Sequence, residues 1–161
     1  QSEQDAKKGR YTMSSIATYA SAESETRSIS RARFAAIGAA TVVAATLANV
    51  LFYYLGSAVV DYDADFVALP TPGGTITFTV FFAIVAVLVY AGIKRFTGNP
   101  ERNFTIVAAI ALVASVIPDF TYIPTVDGAS NGQTAILIVM HVIAAVVIVG
   151  MLTKLTGQDN R

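Results

Sequence analysis

The chain has no cysteine and no tryptophan, and His141 is its single histidine. Without thiols there is no disulfide framework, no thiolate nucleophile and no cysteine-ligated metal or iron–sulfur centre. Charge is scarce too. Only 14% of residues are Asp, Glu, Lys or Arg, against about 25% in an ordinary soluble domain. Lys plus Arg number 11 and Asp plus Glu 11, so the formal net charge is zero and nothing electrostatic argues for nucleic acid as a partner. There is no phosphate loop, no pair of carboxylates within an apolar segment, and no Ser/His/Asp set with supporting context. The chain is therefore not expected to be an enzyme, and its composition names no cofactor. Apolar sequence is what it has: 54% of 161 residues, one domain's worth and too apolar for disorder.

That apolar sequence is gathered into runs. A membrane-spanning helix needs about 20 mostly apolar residues. Four stretches fit: about 34–56, 75–95, 100–118 and 134–153. The fold class expected is all-α, a polytopic membrane protein built as an up-and-down bundle of four transmembrane helices joined by short loops. Residues 1–33 read as a polar segment, 34–155 as the membrane domain and 156–161 as a short tail. Pro70-Thr71-Pro72-Gly73-Gly74 is a turn cluster ahead of the second helix. Asn99-Pro100-Glu101 reads as N-cap, first-turn proline and first-turn acid of the third. Pro118 either ends that helix or bends it, and an interfacial extension through Phe120 and Tyr122 is favoured. Ser130-Asn131-Gly132-Gln133 opens the fourth.

Basic residues set the orientation. Lys7, Lys8, Arg10, Arg27, Arg31 and Arg33 precede the first span. Lys94, Arg95 and Arg102 lie between the second and third, and Lys154 and Arg161 close the fourth. The other two connections hold Asp61, Asp63, Asp65, Asp119 and Asp127 and no cation. Because cations accumulate on the cytoplasmic side, both termini are expected to be cytoplasmic, in a multi-pass protein of the cell's inner membrane. Tyr53, Tyr54, Tyr62, Phe66, Phe120 and Tyr122 would supply the outer aromatic belt and Phe34, Phe96 and Phe104 the inner one. The segment Gln1–Ser30 has no apolar core of a secretory signal. The stretch Ser14–Arg31 reads equally well as a surface helix and as a tail.

Small residues recur on the spans, with Ala36, Ala40, Ala44 and Ala48 forming a ladder on the first. Thr79, Ala83, Ala86 and Tyr90 share a face of the second, and Ala108, Ala111 and Ser115 one of the third. Such ladders let helices approach closely in lipid. One ionisable side chain lies deep in a span: His141, roughly 10 Å below the outer boundary if its helix enters at Thr134. Asn49 comes out at a similar depth, with Tyr53 one turn further out. Asp119 reaches His141 only if the end of the third helix bends inward. His141, Asn49, Tyr53 and Asp119 are thus the candidates for a ligand site or for a hydrogen-bonded clamp between helices. Asp61-Tyr62-Asp63-Ala64-Asp65 begins like a calcium loop, but Phe66 and Pro72 stand where Gly and Glu belong. Asp61, Asp63 and Asp65 are left as weak external cation candidates, and no other metal site is expected.

The segment from about Phe34 to Leu155 resembles an uncharacterised family of small bacterial four-helix membrane proteins, a domain of unknown function. The resemblance rests on Asn49 with the aromatic end of the first span, the Pro72-Gly73-Gly74 turn, Ser115-Val116-Ile117-Pro118, and Met140-His141 with Ala144-Ala145. It implies the topology and no activity. The leading expectation is a non-enzymatic protein that works through helix packing, as an accessory or structural subunit of a larger membrane complex. Its partners would be the lipid bilayer and other protein chains or copies of itself. The alternative is a carrier of a small solute, ion or proton with its polar site around His141. A lipid-modifying enzyme is a third and weaker expectation.

Overall fold

The computed structural model describes residues 31–66, 69 and 71–156. The polar segment 1–30 and the tail 157–161, and with them the surface-helix reading of Ser14–Arg31, lie outside the described residues. The chain divides into two compact units, Gln1–Ala36 and Ile37–Arg161. Only residues 31–36 of the first are described, and the account below concerns the second.

Four helices follow one another: α1 (Arg31–Ser57), α2 (Pro72–Phe96), α3 (Pro100–Thr121) and α4 (Asn131–Thr156). A single 3-10 turn, Ile123–Thr125, follows α3. All four helices are long and apolar enough to cross a membrane, so the chain is a multi-pass, all-α membrane protein.

Each helix outruns its apolar stretch, for local reasons. Arg31 and Arg33, read from the sequence as part of the polar segment, already belong to α1. The turn cluster before α2 is shorter than expected, because Pro72 is itself the first helical residue, where its fixed φ suits helix and its missing N–H costs nothing. Asn99 stands at the N-cap of α3, but its side chain makes no capping bond; its backbone carbonyl accepts from Asn103 N at 3.1 Å. α3 does not stop at Pro118 but runs through it to Thr121. α4 opens with a capping box: Gln133 N donates to Ser130 Oγ (3.3 Å) and Ser130 N to Gln133 Oε1 (3.0 Å), covering donors that a helix start leaves orphaned.

The packing faces follow the polar side chains. On α1 the buried residues are Gly38, Thr41, Ala45, Asn49, Tyr53 and Gly56. The expected ladder Ala36–Ala40–Ala44–Ala48 is therefore displaced, with Ala36 and Ala40 exposed. Alanine is at home against lipid or helix alike, whereas an amide left in hydrocarbon without a partner costs several kcal/mol, on the order of a lost hydrogen bond or more. Asn49 and Thr41 thus choose the inward face. On α2 the buried residues are Thr75, Thr79, Ala83 and Tyr90, close to the expected face. On α3 Phe104 and Asp119 are buried while Ala111 is exposed. The outward surface is large and oily, with Leu47, Phe78, Phe81, Phe82, Leu88, Ile110, Val113 and Val146 all exposed. This inversion, polar groups inside and large apolar ones outside, is that of a chain whose solvent is lipid.

The two ends of the bundle differ in charge, and each has its own fastening. At the acidic end, Tyr53 of α1, Phe66 and Leu69 of the α1–α2 connection, and Ile136 and Met140 of α4 form one buried cluster. Gly56 lies directly beneath the Tyr62 hydroxyl and Ile136; a Cβ there would sit 2.8 Å from Ile136 Cδ1, so any side chain at this position would force Ile136 and Tyr62 to shift. The two acidic connections interlock at Gly128, whose φ of 74° favours glycine and whose Cα lies close under Phe66 N and Asp63 Oδ1. At the basic end the Tyr90 ring packs on Phe104 with centroids 4.8 Å apart. The Thr156 hydroxyl gives its proton to Leu152 O (2.6 Å), so Tyr90 OH donates to Thr156 Oγ1, at 2.7 Å. Lys94 Nζ reaches Thr156 O at 3.5 Å, a cation at the negative end of α4.

These contacts fix the register of α3 against α4. Phe104 and Thr156 meet Tyr90 at one level. The same number of residues separates Phe104 from Asp119 and Thr156 from His141, about 22 Å of helix. Asp119 and His141 are therefore brought level at the other end of the same antiparallel pair.

Candidate functional site

Asp119 lies two residues before the end of α3, and His141 near the middle of α4. Because α4 begins at Asn131, its start stands about 12 Å further toward the acidic end than the last residue of α3. The acidic connections fill that step and cap the pair. His141 is thus about 15 Å along α4, deeper than the entry point at Thr134 suggested.

The imidazole Nδ1 lies 2.8 Å from Leu137 O, one turn back on its own helix. A carbonyl only accepts, so Nδ1 carries the hydrogen and Nε2 is the nitrogen without one. The same Nδ1 lies 3.5 Å from Asp119 Oδ2. The Asp119 side chain is 6% exposed, while that of His141 is 36% exposed. A carboxylate is therefore sealed inside the bundle with an imidazole in front of it, and the imidazole has one open edge. Oδ2 has no hydrogen-bond partner. Ser115, one turn below Asp119, donates to Leu112 O at 2.8 Å and takes no part in the pair.

The other two candidates are drawn elsewhere. Asn49 does not meet His141; it faces α2 and donates from Nδ2 to Thr79 Oγ1 at 3.0 Å, and its buried Oδ1 is unpartnered. Tyr53 belongs to the cap, its hydroxyl donating to Leu69 O at 3.2 Å. Tyr62 OH in turn donates to the Tyr53 carbonyl at 2.9 Å, their rings 5.0 Å apart. Burial, and then the neighbouring Tyr53, push the Tyr62 hydroxyl above the ordinary tyrosine value. Of the four residues, the structure brings together Asp119 and His141 alone.

Asp61, Asp63 and Asp65 do not converge. Asp63 Oδ1 accepts from Asp65 N at 2.9 Å, closing a local turn, and among the described residues no three His, Asp or Glu side chains are placed to hold a metal ion. The Asp61 carbonyl, rather than its carboxylate, is what the fold uses: it accepts from Gln133 Nε2 at 3.3 Å. Gln133, fully buried, escaped the sequence reading although Ser130-x-x-Gln133 is the capping-box spacing. The sequence put Thr79 and Tyr90 on one face of their span but showed neither their partners nor Thr156, because a hydroxyl in an apolar run carries no signal of its partner on another helix.

Comparison with curated proteins and with solved structures finds no match. One family does match, over residues 29–158, which spans all four helices and both residues of the pair. The chain belongs to that family, the family of unknown function DUF6069.

Proposed function

We propose that this protein is a non-enzymatic subunit of a larger membrane assembly, acting through helix packing, and that its partner covers the α3–α4 face at His141. The observation that carries this reading is the 36% exposure of the His141 side chain near the middle of a spanning helix. An ionisable group at that depth is costly against lipid and faces a bundle interior, an aqueous cavity or a partner. Its surroundings fit a helix interface, since its neighbours on the same face of α4, Leu137, Ile138, Ala144 and Ala145, are apolar and only partly buried. A partner helix offering a donor would satisfy Nε2. The distribution of cations supports placing both termini on the cytoplasmic side of the cell's inner membrane.

Extraction in mild detergent followed by native mass analysis tests the reading. A stoichiometric second chain, lost in His141→Leu and kept in a variant altered at the lipid-facing Leu88, is the expected result. Recovery of wild type as a monomer alone overturns it. One observation favours a second reading, a carrier of a small solute, ion or proton: Asp119 stands 3.5 Å from His141, and acid–histidine pairs within membranes mark such pathways. Transport in vesicles abolished by His141→Ala supports the carrier; unchanged transport refutes it.

A further inference from the structure

We propose that Asp119 and His141 form an intramembrane proton-binding site that holds one exchangeable proton between the two groups. The inference rests on the carrier reading, whose ligand it names, and its geometry belongs to α3 and α4 alone.

The argument is one of charge compensation. Asp119 is buried with Oδ2 unpartnered. A lone carboxylate in a low-dielectric interior costs several kcal/mol or more, a penalty removed by a counter-charge or by a proton. No Lys or Arg lies on α3 beyond Arg102 or on α4 before Lys154, and both stand at the basic end, roughly 20 Å away along the helices. α2 turns Thr75 and Thr79 inward, which carry no charge. α1 brings Asn49, whose amide is engaged with Thr79, and Tyr53, whose hydroxyl is engaged with Leu69 O. From the acidic connections, Tyr62 is tied to the Tyr53 carbonyl and Asp63 to Asp65 N; further carboxylates there would only raise the demand for positive charge. Among the described residues, His141 is the group in reach of Asp119.

Protonation then follows the geometry. Nδ1–H already lies on Leu137 O, so the arriving proton is taken at Nε2. The imidazolium so formed is balanced by the Asp119 carboxylate across 3.5 Å. Passage of the Nδ1 proton to Oδ2, across the same 3.5 Å, gives the equally neutral state of an Nε2–H imidazole and a carboxylic acid. Release reverses both moves: the proton on Oδ2 returns to Nδ1 as the one on Nε2 departs. The state excluded is neutral imidazole beside ionised Asp119.

The single histidine makes the test direct. The full chain, labelled with nitrogen-15 histidine in lipid nanodiscs, gives one imidazole whose charge is read by NMR. The infrared band of a protonated carboxyl, assigned by its loss in Asp119→Asn, reads the other partner. At neutral pH wild type should show charged imidazole and protonated carboxyl in fractions that sum to one. His141→Gln should show the carboxyl band at full intensity. Neutral imidazole together with ionised Asp119 in wild type overturns the proposal and needs no variant; so does His141→Gln without the band. Proton counter-transport measured in parallel separates the two ideas. One proton per pair without transport keeps the site and removes the carrier reading.

Discussion

In the cap at the acidic end three polar side chains donate to carbonyls: Tyr53 to Leu69, Tyr62 to Tyr53 and Gln133 to Asp61. One turn deeper the pattern changes. Asn49 and Asp119 are as buried as the cap residues, yet each keeps an oxygen without a partner. The cap uses polarity to close a fold, because each bond ties a helix to a connection. The deeper layer carries polarity that the fold does not consume. The first kind of group should be costly to remove, and the second should cost little in stability while mattering to whatever the protein does.

Gly56→Leu should break the cap most severely. The new side chain would enter the space of Ile136 and the Tyr62 hydroxyl, at a cost of about 3 kcal/mol, the upper part of the range for overpacking. Thermal unfolding in detergent micelles measures it. Gln133→Ala removes the capping box and the tie to Asp61 together, and about 2 kcal/mol should be lost. Tyr53→Phe deletes one hydroxyl and should cost about 1 kcal/mol.

A pH scan sharpens the same contrast. The folded chain holds the Tyr62 proton more tightly than the unfolded chain. Stability from this group is therefore fully present below pH 10.0, the ordinary tyrosine value, and is lost as pH climbs through the higher folded value. Tyr62→Phe should show a smaller alkaline loss than wild type. The smallest effect is expected in the deeper layer: Asn49→Leu should change stability by no more than about 0.5 kcal/mol, since it removes a buried unsatisfied acceptor along with its one bond. If Asn49→Leu proves as damaging as Tyr53→Phe, the division between the two layers is wrong.

Much of the fold was legible in the sequence, and the reason is dimensional. Bilayer thickness sets the length of an apolar run, so the number, order and approximate ends of the helices could be read directly. The faces could not, because in lipid the outward residues are as apolar as the inward ones and amphipathic periodicity is lost. The alanine ladder on α1 pointed to one face, and Thr41 and Asn49 claimed another. Sparse polar residues are the better guide in such helices. The pair was half legible: His141 stood out by its depth, but Asp119 followed a proline, and only the course of α3 past Pro118 put the two side by side.

That proline has a mechanical consequence. With no N–H, Pro118 cannot donate to the carbonyl of Ala114, so the hydrogen-bond ladder of α3 is one rung short immediately before the residue that faces the imidazole. The final turn of α3, which carries Asp119, is therefore held to the rest of the helix by one backbone bond fewer than an ordinary turn. The clasp of Tyr90 on Phe104 and Thr156 fixes the other end of the helix, so the give that the missing bond allows is concentrated beside Asp119.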